Sequence, residues 1–165
     1  MSHIHVRQAA AGDVAVVSDM LKEATRWLET RGMPLWSVDG FAIAALAPQV
    51  AQGIFWLAEV EGTPAGCVSF QLEDPLHWPE VPAGDSAFLH KLAVRRAFAG
   101  TGVATALLDW AKRHARELGL RYVRLDTAVG REKLCALYTA QGFSKHSEKN
   151  VGAFDIVRFE LTLET

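Results

Sequence analysis

Residues 3 to 9 alternate polar and apolar positions, the period of a half-buried strand, and Gly12-Asp13 then punctuates the chain. Val14, Val17, Leu21, Ala24 and Leu28 recur at helical spacing, with Asp13 placed to cap the helix N-terminus. Gly32 and Pro34 end that helix, and residues 33 to 53 read as a loop with one or two short helices interrupted at Pro48. The runs Ile54 to Val60 and Ala65 to Leu72, joined by Glu61-Gly62-Thr63-Pro64, predict an antiparallel pair of strands. Residues 71 to 86 hold three prolines and four carboxylates without Lys or Arg, and they read as a loop because strand signals resume at once.

Ala87 to Val94 is an apolar strand, Gly100 to Gly102 a turn, and Val103, Leu107, Ala111 and Leu118 line one face of a helix that Gly119 closes. Lys112, Arg113, His114 and Arg116 fall in its C-terminal half, where the helix dipole favours cations. A strand at Tyr122 to Leu125 and a helix at Glu132 to Gln141, stopped by Gly142, come next. Two final strands flank Lys149-Asn150-Val151-Gly152, and Val157, Phe159, Leu161 and Leu163 share a face of the last. This order implies a mixed sheet covered by helices, an α/β or α+β layer architecture.

The length of 165 residues fits a single domain, residues 1 to 165, large enough to bury a core without metals or disulfides. Half of the residues are hydrophobic and 22% charged, a globular composition. With a net charge of -2 the chain presents no broad field for nucleic acid or an acidic membrane, so neither is an expected partner and function must come from a site. With only Cys67 and Cys135 present, a disulfide framework or a four-ligand zinc site is unsupported, and both read as reduced thiols. Neither a charged-then-apolar leader nor an apolar stretch of roughly 20 residues is visible, so a cytoplasmic location is expected.

The strand ending Leu92-Ala93-Val94, followed by a turn with Gly100 and Gly102 and then a helix, sets backbone N–H groups and a positive helix end where an anion can sit. Arg95 and Arg96 border the turn, either to pair with phosphate oxygens or as solvated loop charges. A dinucleotide-binding reading, with Asp126 as the ribose acid, fails at Thr105, where a third glycine or alanine is required. A Walker-type loop fails because no Lys follows the second glycine. Ordinary tight packing of strand, glycine and helix stays as the bland alternative.

LAVRRAFAGTGVATALLDWA resembles the acetyl-CoA-binding segment of the GNAT superfamily of N-acetyltransferases, and LYTAQGF, Leu137 to Phe143, resembles that family's later helix-to-strand signature. The element order matches from Ile4 to Leu163. The resemblance implies a mostly antiparallel sheet of about seven strands flanked by helices, with acetyl-CoA as cofactor and no metal. Backbone groups of Leu92 and Val94, with Ala93 between them, would hold the pantetheine arm. The N–H groups of Gly100, Thr101, Gly102, Val103 and Ala104 would hold the pyrophosphate. Family members usually carry Gln or Arg at the position of Ala99 and often Asn at that of Arg131, so this chain departs at two cofactor contacts.

Acyl transfer from a thioester to an amine needs a neutral amine, a stabilised oxyanion and a proton for the leaving thiolate. By resemblance Tyr138 is the general acid and the backbone N–H of Leu92 meets the oxyanion; on helical spacing alone Tyr138 would be a core residue beside Leu134 and Leu137. His90, two residues before Leu92, is the first choice for general base, with the facing of Leu92 unless a bulge intervenes; Glu59, Glu73 and Asp126 are weaker choices. Cys67 and Cys135 lack an adjacent His for a thiol relay, and His3 and His5 lack further metal ligands.

By resemblance Trp27, Leu28, Met33, Pro34, Leu35 and Trp36 lie on the acceptor side. Together with the acidic 71 to 86 loop they suit a cationic, partly apolar amine, either a small molecule or a peptide. Trp78 is expected in the core or in a homodimer interface. The competing class is a non-catalytic acyl-CoA-binding regulatory module, for which Ala99 and Arg131 speak and against which Tyr138 speaks.

Overall fold

The computed structural model describes residues 3–33 and 36–164. Its strands are β1 (Ile4–Gln8), β2 (Phe55–Val60), β3 (Thr63–Gln71), β4 (Ser86–Val94), β5 (Tyr122–Ala128), β6 (Ser144–Val151) and β7 (Phe154–Thr162). Its helices are α1 (Val14–Thr30), α2 (Ile43–Ala51), α3 (Val103–Glu117) and α4 (Glu132–Ala140), with short 3₁₀ turns at Ala11–Asp13, Val38–Phe41 and Arg96–Phe98. The strands form one seven-stranded sheet in the order β1-β2-β3-β4-β5-β7-β6. Pairs β1–β2, β2–β3, β5–β7 and β6–β7 are antiparallel, whereas β4 and β5 run parallel. The chain clusters into two compact units, Met1–Ser69 with Lys91–Leu107, and Phe70–His90 with Leu108–Thr165.

In the first unit α1 buries Val14, Val17, Leu21 and Leu28, four of the five positions that the helical spacing predicts, and Met20 as well, whereas Ala24 is half-buried. Val14, Val17, Met20 and Leu21 pack with Phe41, Leu46, Val50, Phe55, Leu57, Cys67 and Ala93 into one apolar cluster. Asp13 stands directly before α1 as expected, yet its side chain caps nothing in that helix. Its Oδ2 accepts the Ala10 N–H at 2.7 Å and pairs with Arg7 Nη1 at 2.7 Å, which brings its carboxyl down to about 2. Pro48 does not interrupt its helix either, since α2 continues through it to Ala51. A proline removes only its own N–H from the ladder, and the buried Leu46 and Val50 on either side anchor the turn.

The β2–β3 hairpin turns on two residues, Glu61 at φ 49° and Gly62 at φ 81°. Two left-handed residues match the twist of the flanking strands, so the turn is tighter than the four-residue connection expected and Thr63 and Pro64 join β3. Pro64 pairs with Glu59 beside the register shift at Ala58/Glu59, the kind of irregular position at which a strand accommodates a proline.

In the second unit Trp78, Phe88, Leu108, Ala111, Ala115, Val123, Leu125, Tyr138, Phe143, Ile156 and Phe159 are buried. Trp78 is fully buried, with Phe88 at 6.4 Å between ring centroids, which settles it as a core residue. Leu118 is 50% exposed, contrary to its assignment to the apolar face of α3, because the helix ends at Glu117 and the 3.6-residue period stops with it. The last hairpin turns later than expected: Lys149, Asn150 and Val151 all pair within β6, opposite Ile156, Asp155 and Phe154. Strand β5 runs three residues past Leu125, through Asp126, Thr127 and Ala128. Among the described residues no helix is long and apolar enough to cross a membrane.

Candidate active site

The segment read as a cofactor cradle lies in the first unit. After β4 a 3₁₀ turn, Arg96–Phe98, leads through Ala99 into Gly100 at φ 75° and Gly102 at φ 88°. Both glycines occupy the left-handed region that other residues enter only at a cost, so the turn depends on them. The ladder of α3 starts with Ala106 N–H donating to Gly102 O at 3.0 Å, which leaves the amides of Val103, Ala104 and Thr105 ahead of it at the positive end of the helix. Thr101 differs from the expectation for it: its N–H donates to Phe98 O at 3.3 Å and its hydroxyl donates to the same oxygen at 2.5 Å. Its amide therefore closes the turn.

Arg95 and Arg96 do not stand free for phosphate. Arg95 Nη1 pairs with Asp19 Oδ2 at 2.8 Å and Glu23 Oε1 at 3.5 Å, and the Arg96 N–H donates to Glu23 Oε2 at 3.0 Å. The Arg96 guanidinium lies 3.9 Å from the centre of the Trp27 ring, and that of Arg31 5.0 Å from it. Trp27 thus serves as a platform for this chain's own cations. Trp36 packs edge-on against Phe41 at 5.5 Å, whereas Pro34 and Leu35 lie outside the described residues.

Gly66 is a feature that strand patterning did not single out. A Cβ built there would lie 2.8 Å from Ala93 O and 2.8 Å from Val103 Cγ1, so only glycine lets β3 pass this close to the end of β4 and the start of α3. Between His90 and Leu92, Lys91 sits at φ 54°, a left-handed non-glycine residue inside a strand. A left-handed residue at this point breaks the regular backbone on which the shared facing of His90 and Leu92 is expected.

The second unit holds His90, Asp126 and Tyr138, the residues expected in acid–base roles. The β4–β5 pairing runs from Ser86↔Tyr122 to Leu89↔Leu125, and β5 continues against β7 with Asp126 opposite Arg158. His90, the next residue of β4, hydrogen-bonds through Nε2 to Asp74 Oδ2 at 2.6 Å, and its Nδ1 lies 3.8 Å from Asp126 Oδ2. His77 brings its Nδ1 to 3.1 Å and its main-chain N–H to 3.0 Å from Asp74 Oδ1. Burial works against the charge on Asp74, but the bonds from His77 and His90 outweigh it and hold the carboxyl well below its usual range. Burial raises Asp126, and the nearby histidines and Arg158 only partly oppose that. Asp74, His77, His90 and Asp126 each offer a ligand atom within 4.8 Å of the others, a group able to hold a cation. Asp74 and His77 escaped the reading of the loop as a merely acidic segment; their i, i+3 spacing just past β3 was the available signal.

Of the other bases considered, Glu59 is engaged by Arg7 Nε at 3.2 Å and Glu73 is exposed. Tyr138 is buried on α4 against Phe143 and Phe159, with centroids at 6.1 and 5.6 Å, and burial pushes its phenol above the ordinary value. Ala99 follows the 3₁₀ turn and Arg131 is the N-cap of α4, without a side-chain cap bond. His3 and His5 stack at 6.5 Å. Both cysteines are free thiols. Burial drives Cys67 up to about 12 and raises Cys135, so neither is an activated nucleophile. A disulfide reagent added to native protein should therefore modify at most Cys135, slowly, and both thiols only after denaturation; rapid labelling of two thiols in the native state would refute this.

The acetyltransferase (GNAT) family model matches residues 18–143. The uncharacterized N-acetyltransferase YesJ of Bacillus subtilis is 26% identical over 164 residues, covering 92% of this chain and 87% of YesJ. A GNAT-family acetyltransferase of known structure from Listeria monocytogenes superposes with a TM-score of 0.81 at 26% identity, over 97% of this chain and 95% of that one. The structure of yncA from Salmonella typhimurium with its cofactor acetyl-CoA has a TM-score of 0.76 at 18% identity, over 99% and 96% of the two chains. The family match spans most of the chain, from α1 to the end of LYTAQGF, and with the seven-stranded sheet it gives the conclusion that this chain belongs to the GNAT family of acetyltransferases.

Proposed function

We propose that the chain, as a single acyltransferase domain over residues 1 to 165, transfers the acetyl group of acetyl-CoA to a primary amine by direct attack. The observation that carries the reading is the amide cradle at Gly100–Gly102 and the first turn of α3; in the other unit, His90 is set among carboxylates. Main-chain groups of Leu92, Ala93 and Val94 hold the pantetheine arm. The amides of Gly100, Gly102, Val103 and Ala104 hold the pyrophosphate, with Thr101 closing the turn behind them. Ala99 and Arg131 take the places of two side-chain contacts, so the cofactor relies on main chain.

His90 takes a proton from the incoming amine, the Leu92 N–H stabilises the oxyanion, and Tyr138 protonates the departing thiolate. The acceptor is a small-molecule or peptide amine, and the protein works in the cytoplasm.

The test is calorimetric titration with acetyl-CoA, followed by thiol release with phenethylamine, spermidine, an alanyl peptide and a lysyl peptide. The expected outcome is binding, plus release with at least one amine. Binding without release for any of them favours the regulatory module, and no binding sinks both readings.

A further inference from the structure

We infer that His90 Nδ1 and Asp126 Oδ2 form the acceptor-amine subsite, in which the ammonium of the substrate is held and deprotonated, and that Asp74 is the positioning residue that makes Nδ1 the basic nitrogen of His90. The inference rests on the acetyl-transfer reading given above.

Asp74 is 7% exposed, and both of its oxygens are bonded to imidazole nitrogens: Oδ2 to His90 Nε2 at 2.6 Å and Oδ1 to His77 Nδ1 at 3.1 Å. An ionised carboxylate can only accept, so both nitrogens carry hydrogen. The main-chain N–H of His77 gives Oδ1 a further bond at 3.0 Å and fixes the carboxylate in place. A neutral His90 with hydrogen on Nε2 has its lone pair on Nδ1. That nitrogen lies 3.8 Å from Asp126 Oδ2.

Asp126 Oδ2 is the second, independent observation. The Asp126 side chain is 10% exposed, and Oδ2 receives no hydrogen bond. A buried carboxylate oxygen without a donor is costly, and a ligand that supplies a donor and a positive charge relieves it. An ammonium carries three N–H donors, and one nitrogen at about 2.8 Å from each atom bridges the pair. The His77 side chain is 26% exposed, and Arg158 stands opposite Asp126 on β7. A monocation is therefore matched to Asp126 Oδ2, a buried carboxylate oxygen without a hydrogen bond.

The proton balance follows from these positions. The ammonium gives one proton to His90 Nδ1, and the imidazolium is balanced by Asp74. The amine nitrogen then bonds to the thioester carbon, and the C–S bond breaks with its electron pair going to sulfur. The nitrogen loses its second proton, equivalent to the one that Tyr138 hands to the thiolate, and His90 releases the first to solvent. The products are the amide, CoA thiol and one proton.

The test uses the full chain, with the best amine of the panel above. Asp126→Asn should raise the amine KM at least about tenfold and leave the acetyl-CoA Kd within about twofold. Asp126→Glu, which keeps the charge, should recover part of the loss. Asp74→Asn should lower kcat, and ¹⁵N NMR of labelled histidine should show neutral His90 protonated on Nε2 in the wild type but as a tautomer mixture in this variant, a change that a purely structural role would not produce. An unchanged amine KM in Asp126→Asn, or a wild-type His90 protonated on Nδ1, overturns the proposal. So does one equivalent of zinc whose chelation abolishes turnover and whose return restores it, because the group would then be a metal centre. If Asp126→Asn fails to fold, the wild-type spectrum still decides. Loss of acetyl-CoA binding by the wild type, by contrast, removes the acetyltransferase reading itself.

Discussion

Tyr138→Phe is expected to lower kcat by about 10²- to 10⁴-fold while the acetyl-CoA Kd and Tm stay near their wild-type values. The ring is 4% exposed and packs against Phe143 and Phe159, and phenylalanine retains all of those contacts. What the substitution removes is one hydroxyl proton. Burial first, and then the charge of Asp126, push the phenol above its ordinary value, so Tyr138 stays protonated throughout the neutral range and enters each turnover as a donor. Steady-state rates by thiol release, with a thermal melt and a titration as controls, make the measurement. A rate within about twofold of wild type returns Tyr138 to the core role that its helical spacing also allows.

The second large effect falls on Gly66. Gly66→Ala should destabilise the protein by about 1–3 kcal/mol, the usual cost of overpacking, and weaken acetyl-CoA binding as well. The added methyl would meet Ala93 O and Val103 Cγ1, both at 2.8 Å. A carbonyl oxygen in a strand cannot rotate away as a flexible side chain can, so β4 or α3 must shift. These are the elements that carry Leu92 to Val94 and the first amides of the cradle. The two readouts are a fall in Tm and a rise in Kd. A stable variant with unchanged Kd would show that the contact relaxes at no cost to the cradle.

Most of the fold was legible because long periodic segments announce themselves. The stripe from Val14 to Leu28 and the helix opened by Val103 appear where their spacing put them. Errors clustered where a local rule met a tertiary one. Pro48 predicts a break, but buried neighbours carry α2 through it; the spacing extends the buried face of α3 to Leu118, but the helix ends one residue earlier. Of the proposed site, Leu92 to Ala104 and Tyr138 are candidates that the two family segments supply. Asp74 and His77 could not, since a loop carries no periodicity and their meaning comes only from meeting His90, 16 residues beyond Asp74. Arg95 and Arg96 were legible as charges near a turn, yet their partners Asp19 and Glu23 sit more than 70 residues away.

The loop from 71 to 86 looked like a reservoir of negative charge, but its carboxylates are mostly answered from within their own unit. Asp74 is shared by two histidines, Glu80 pairs with Arg158, and Asp85 accepts from the Ser86 hydroxyl at 3.0 Å. Glu73 is exposed, and a single solvated charge is screened within about 10 Å at ordinary salt. Such a loop does not gather amines from a distance. Under the proposed function, competing amines should therefore differ in how well they are held and turned over far more than in how fast they arrive.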